Sequence, residues 1–499
     1  MSEIELKKQE MKEYISRMEY VQSLLGLVHW DMRVNMPPKA VNFRGEVSGY
    51  LAGELYKMTT SEKVKEFIDY FLPIDDLDDI TKATVRKIKK EYDKTVKIPE
   101  KMYTDFVNLI SVAESVWEEA KAKNDYGLFK PYLKQIIDYN KQFADIYGYK
   151  NKRYDALLDD YEMGMTEEEL DRIFNPLKEV LINLIKKLNE RGDKPKDHIL
   201  KGKYPVEAQN QFAKIIAKKL GYDLESGRID TSAHPFTIEL GPSDIRITTR
   251  YDEENFISGL LSNIHEMGHA IYEQNISRDL RGTMLMTGAS MGIHESQSRF
   301  YENIIGRSRE FWKHVYPDIS TLFPSLKKLS VDEIYQAVNS IKPSLIRVDA
   351  DEITYSLHII IRYEMEKMMI DEDVDVDELP SIWNKKYKDY LGVEPSNNSE
   401  GILQDVHWSG GSIGYFPSYA LGNIYGAQIL NTMLKQMPDF YERIENGDFL
   451  SIKNWLSDNI HKHGSIYTPS ELIEKVSGEK LNPEYFIKRC EKIVEEKLK

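Results

Sequence analysis

Along nearly the whole chain, apolar residues return with the period of an α-helix, and charged residues fill the positions between them. Such spacing gathers the apolar side chains into one stripe per helix, and each stripe must be buried against another element. Met11–Val28, Asp79–Val96, Lys101–Ala122, Glu167–Glu190, Val206–Leu220, Ile353–Met369 and Ser470–Val476 are therefore predicted to be amphipathic helices. Breaks fall at Phe71–Asp78, Arg191–Asp197, Asp371–Pro380 and Gly392–Gly401. The acidic run Asp371–Asp377 reads as a solvated loop and Arg191-Gly192-Asp193 as a turn. A length of 499 residues would allow roughly three domains. No repeat, low-complexity tract or linker marks a boundary between them.

One stretch departs from the helical period. Phe236–Leu240, the turn Gly241-Pro242-Ser243-Asp244, and Ile245–Thr249 read as strand, turn, strand. An edge strand there could pair with an extended peptide. The hairpin leads into a predicted helix, Asp252–Asn275, with Phe256, Ile257, Leu260, Leu261, Ile264 and Ile271 on its apolar face and Asp252 as its N-cap. That helix carries His265-Glu266-Met267-Gly268-His269. Residues four apart lie one turn apart on the same face, with side chains starting roughly 5–6 Å from each other. Two imidazoles placed so can share a metal ion, and Glu266 stands beside them. With 11 His in 499 residues, composition alone would supply the pattern about 0.02 times. Gly268 inside the helix costs about 1 kcal/mol relative to Ala, which suggests that a neighbouring segment approaches closely at this point.

Glu295, in His294-Glu295-Ser296-Gln297-Ser298-Arg299, is the candidate third ligand. It lies in a predicted helix, Ala289–Arg307, with Ile293, Phe300, Ile304 and Ile305 inward. Glu273 and Glu302 are rivals; Glu273 would have to bind from the same straight helix as the histidines and would leave one side of the metal uncovered. Two His and one Glu leave a fourth tetrahedral position open, the arrangement of catalytic rather than structural zinc. Zinc lowers the pKa of bound water to about 7, and Glu266 is placed to act as general base. His294 reads as a packing residue. Elsewhere, His407 lies within Gly401–Trp408, and Tyr415 and Tyr419 flank a helix opening near Phe416; such groups can donate to a developing oxyanion. Arg347 and Asp351 are either a helix-surface pair worth about 0.3–0.5 kcal/mol or an anion-binding arginine and its neighbour, and spacing leaves both open.

A formal charge of −15 argues against nucleic acid as a partner. The single cysteine, Cys490, excludes an internal disulfide and fits a reducing cytoplasm. The N-terminus lacks a signal-peptide h-region, and no apolar run approaches the ~18 residues of a membrane span. A soluble cytoplasmic protein is expected.

Taken together, the motifs resemble those of the thermostable (Taq-type) metallocarboxypeptidase family, over nearly the whole chain. They are Trp30-Asp31 with Met36-Pro37, His234-Pro235-Phe236, Asp244-x-Arg246-x-Thr248, His265–His269, His294–Gln297, Ile346-Arg347-x-x-Ala350-Asp351 and Gly401-x-x-Gln404-Asp405-x-His407-Trp408. The resemblance implies a mostly α, single large helical domain spanning 1–499, with two lobes around a deep groove, a small β-sheet beside the zinc helix and a zinc-binding core at about 230–425. It implies release of single C-terminal residues from peptides with broad preference, one zinc per subunit that cobalt can replace, and a homodimer. It assigns the metal to His265, His269 and Glu295, the general base to Glu266 and the terminal carboxylate to Arg347. It makes His234, Arg246, His407 and Tyr419 substrate contacts. The nearest alternative is a related helical zinc oligoendopeptidase. A non-haem iron enzyme and a silent peptide-binding protein stand further off.

Overall fold

A computed structural model describes residues 2–191 and 195–498. The chain is mostly helical, and the helices fall where apolar periodicity places them. Val206–Leu220 matches its predicted range, Asp79–Lys97 and Glu167–Arg191 each run one residue further, and Met11–Val28 is the interior of a long helix, Glu3–Val34. Ser2 caps that helix by accepting a bond from the Glu5 N–H. At the breaks the chain does what their composition suggests: Leu379–Leu391 ends on Gly392 in the left-handed region, φ 71°. The turn expected at Arg191-Gly192-Asp193 lies partly outside the described residues.

Among the described residues the strands form one three-stranded sheet in the order β1 (Ile229–Thr231), β3 (Ile245–Thr249), β2 (Thr237–Glu239). β2 and β3 are the antiparallel pair predicted around Gly241–Asp244, with Ile238 opposite Arg246. β1 runs parallel to β3, Ile229 opposite Ile247, and has no counterpart in the sequence reading. Ile245 and Ile247 point into the core, against the helix Phe256–Gln274 that follows the sheet.

That helix begins four residues later than predicted. Asn255, not Asp252, is its N-cap, accepting from the Ser258 N–H at 3.4 Å. Asp252 instead accepts from the Glu254 N–H in the turn ahead of it. Carbonyls of Glu253 and Glu254 bond the N–H groups of Tyr204 and Gly202, which holds this stretch outside the helix.

Among the described residues there are two hydrophobic cores. The main one surrounds the helices Phe256–Gln274, Glu352–Asp371 and Pro417–Gln436. A smaller one, built on Met11, Ile15, Phe67, Ile68 and Phe71, holds the N-terminal helices. Among the described residues no helix is long and apolar enough to cross a membrane.

Candidate metal centre

His265 and His269 project from one face of Phe256–Gln274, ring centroids 5.0 Å apart. The opposing wall is the short helix Met291–Arg299, capped by Ser290, whose hydroxyl accepts from the Ile293 N–H. Glu295 extends from it, with Oε2 lying 3.7 Å from His265 Nε2 and 3.5 Å from His269 Nε2. Donors at ordinary zinc distances on a tetrahedral ion are separated by about 3.4 Å. One ligand atom from each residue lies within 4.8 Å of the others, so the three could hold a metal ion with a fourth position open.

Two glycines let the backbones come this close. A Cβ on Gly268 would stand 2.5 Å from Ser298 Cα and 2.7 Å from Gln297 O. On the far side of the Glu295 helix, a Cβ on Gly422 of Pro417–Gln436 would stand 2.4 Å from Glu295 Cγ. Both are closer than any normal carbon contact. The short helix is thus held between two bare helix faces, and Glu162 fixes its start. The buried Glu162 carboxylate accepts from the Gly292 N–H at 3.0 Å and the Tyr425 hydroxyl at 2.7 Å.

A second layer orients the imidazoles. The α-helix Met291–Arg299 runs on as a π-helical turn, Phe300–Gly306, and π turns often mark functional sites. This one brings Glu302 Oε2 to 2.9 Å from His265 Nδ1. His269 Nδ1 lies 2.6 Å from His294 Nδ1, and His294 Nε2 lies 2.8 Å from Glu273 Oε1. With its Nε2 facing Glu295, His269 donates from Nδ1 to His294, which donates on to Glu273. Glu302 and Glu273, the rival ligands, therefore stand behind the trio, Glu302 on the Nδ1 of His265 and Glu273 on His294, and His294 orients His269 rather than merely packing.

Burial would raise the Glu295 carboxyl, but Arg299, at 2.6 Å, and the two histidines hold it far below the ordinary range. Burial and neighbouring imidazoles push His269 down to about 3, so it is a neutral donor. Glu266 is buried beside the trio; burial raises its pKa, against the His265 charge and a bond from Thr237 on β2 at 2.5 Å.

Arg347 lies in a 3₁₀ turn, Arg347–Asp349, and Asp351 is the N-cap of Glu352–Asp371. The helix-surface pair is thereby ruled out. Arg347 is buried and pairs with Asp405 at 2.9 Å, while its Nη1 donates to the Tyr355 hydroxyl at 3.2 Å. Arg362 shares the same carboxylate, Nε to Oδ2 2.7 Å. Two guanidiniums on one carboxylate leave a net positive charge. The Arg299 guanidinium lies over the Tyr355 ring at 4.2 Å, so a chain of contacts runs from Glu295 through Arg299 and Tyr355 to Arg347. Tyr419 and His407 join this group: Arg347 sits over the Tyr419 ring at 5.0 Å, and the Tyr419 hydroxyl is 3.1 Å from His407 Nε2. Burial and the two arginines push His407 down to about 4, and its Nδ1 has no partner among the described residues. Tyr415 lies edge-on to Tyr419, centroids 5.1 Å apart.

His234 and Arg246 stand on the sheet instead. His234 is exposed ahead of β2. Arg246 makes two 2.7 Å bonds to Asp244 and lies over the Trp30 ring at 5.4 Å. Among the described residues neither bonds to the trio or to Arg347. Sequence reasoning left out Thr237, Arg299, Tyr355 and Arg362 and gave no partner role to Asp405; of these only Arg299 carried a local signal, its i+4 spacing from Glu295.

Residues 10–494 match the sequence model of the carboxypeptidase Taq (M32) metallopeptidases. The chain is 47% identical over 487 residues to carboxypeptidase 1 of Bacillus subtilis, covering 97% of each. It is 38% identical over 475 residues to thermostable carboxypeptidase 1 of Pyrococcus furiosus, covering 94% of each. The solved structure of Pyrococcus furiosus carboxypeptidase superposes with a TM-score of 0.96 at 36% identity, covering 99% of each chain. That of the M32 carboxypeptidase from Deinococcus radiodurans gives 0.95 at 32% identity, covering 98% of this chain and 100% of the other.

Proposed function

The chain belongs to the carboxypeptidase Taq (M32) metallopeptidase family and is a metallocarboxypeptidase; on that premise we propose a zinc-dependent enzyme that releases single C-terminal residues from peptides with broad preference. His265, His269 and Glu295 would hold one ion per subunit, zinc or cobalt. The observation that supports this is the match between their 3.5 and 3.7 Å donor separations and a tetrahedral edge of about 3.4 Å. When bound, the metal supplies a Lewis acid that makes water a nucleophile near neutral pH and polarises the scissile carbonyl.

Glu266 is the general base: its raised pKa brings it nearer neutrality, where a carboxylate can take a proton and return it to the leaving amine. Arg347 receives the substrate's terminal carboxylate, and the excess positive charge it shares with Arg362 and Asp405 favours that anion. His407 and Tyr419, beside Arg347, offer N–H and O–H groups to the substrate. His234 and Arg246 hold the peptide further along the sheet, where β2 is an edge strand. We place the enzyme in the cytoplasm as a homodimer, with the groove between its two lobes.

A mass-resolved time course on a peptide and its C-terminal amide tests this reading. Stepwise loss from the free acid, with little loss from the amide, is the expected result. Internal cleavage of both at similar rates would favour the oligoendopeptidase instead.

A further inference from the structure

A cavity of about 960 Å³ lies behind the π-helical turn, on residues that include none of the metal trio. Its described lining holds seven Lys and Arg side chains, Arg191, Lys196, Arg307, Arg309, Arg489, Lys492 and Lys497, against two carboxylates, Glu310 and Glu496. In a chain with 82 acidic and 67 basic residues this is a local reversal of charge. The arginines are partly compensated. Arg489 pairs with Glu352 at 2.6 Å, Arg309 with Asp332, and Arg307 reaches Glu302 at 3.6 Å.

The lysines differ. Lys196 and Lys497 both donate to Gln336, one to its side-chain oxygen at 2.6 Å and the other to its carbonyl at 3.1 Å. Among the described residues neither they nor Lys492 makes an ion pair with a carboxylate. Two ammonium groups gathered on one neutral residue repel each other, and burial together with Lys196 lowers the Lys497 pKa. Such a cluster is stabilised by an anion that enters it. Beside the charges, Tyr335, Tyr441, Ile185 and Leu188 supply apolar lining, and the Arg309 guanidinium lies over the Tyr335 ring at 4.6 Å.

We propose that this cavity binds a small phosphate-bearing molecule with at least two negative charges, at a site separate from the peptide groove. The phosphates would sit on Lys196, Lys492 and Lys497. A ring attached to them would lie against the tyrosines.

Calorimetric titration of the metal-loaded enzyme with pyrophosphate and with ADP tests this, using the parent, a Lys196→Gln/Lys497→Gln variant and a Glu295→Gln variant. Phosphates also bind active-site metal, so the last variant separates the two sites. The expected result is saturable binding of one molecule per chain, weakened tenfold or more by the lysine changes and kept in Glu295→Gln. The lysine variant should cleave peptides at the parent rate. Equal affinity for the two probes would assign the site to phosphate groups alone, and tighter ADP binding would add the ring. No saturable binding, binding that survives the lysine changes, or binding lost with Glu295→Gln overturns the proposal.

Discussion

Replacing Gly268 with alanine separates helix propensity from site geometry, because the two effects have opposite signs. Alanine in a helix interior gains about 1 kcal/mol over glycine. At this position the new Cβ would meet Ser298 Cα at 2.5 Å and Ser298 N at 3.0 Å. Carbon contacts settle near 3.5–4.0 Å, so the two helices must part by about 1 Å. Overpacking of this kind costs about 1–3 kcal/mol and cancels or exceeds the propensity gain. The same movement would widen the 3.5 Å gap between His269 Nε2 and Glu295 Oε2 to roughly 4.5 Å, beyond what one zinc ion can span. Zinc affinity should therefore fall by at least the 10–100-fold typical of disturbed outer-shell partners. Competition with a coloured chelator measures that fall, and thermal unfolding of metal-stripped protein measures the strain. Gly45→Ala is the control. It lies in the helix Val41–Thr59 with nothing within 4 Å of its would-be Cβ, so it should gain stability and keep its metal affinity. A Gly268→Ala protein that binds zinc as tightly as the parent and melts higher would refute the reasoning.

Three further outcomes follow from the same geometry. Glu266→Gln should lower kcat about 10²–10⁴-fold while metal content, measured by atomic emission, stays at the parent level. Arg347→Ala should lower kcat/KM on peptide acids by roughly 10–150-fold, the worth of a charged hydrogen bond, and narrow the difference between acids and amides. Glu162, raised by burial to about 7 from an unfolded value of about 4.3, binds its proton more tightly in the folded state. Its share of stability is full below that unfolded value and lost as pH rises through 7. Glu162→Gln should flatten the fall in denaturant-measured stability between pH 5 and pH 8 by up to roughly 3 kcal/mol.

Where a feature depends on local geometry, the sequence carried it. The i,i+4 spacing of His265 and His269 needs only a helix, and Gly268 in an otherwise good helix announced a close neighbour. The cap was lost because Asp252 and Asn255 are both good capping residues; the bonds from Tyr204 and Gly202 to Glu253 and Glu254, made between segments that the helix Val206–Leu220 and the whole sheet separate in the chain, decide between them. β1 is three residues long and gains its strand character from pairing with β3. Features made by distant segments stayed hidden for the same reason. Asp405 meets Arg347 across 58 residues, and Gly422 had no marked pattern around it. Glu302 was visible as a carboxylate near the site, and a regular helix would place it two turns beyond Glu295 on the same face; that it bonds His265 from a π turn was not visible.

The most direct test of the account is anomalous diffraction at the zinc edge from zinc-loaded crystals. It predicts one strong peak per chain, about 2 Å from His265 Nε2, His269 Nε2 and a Glu295 carboxylate oxygen. A peak held by Glu302 or Glu273 in place of Glu295, or no peak between these helices, would contradict it.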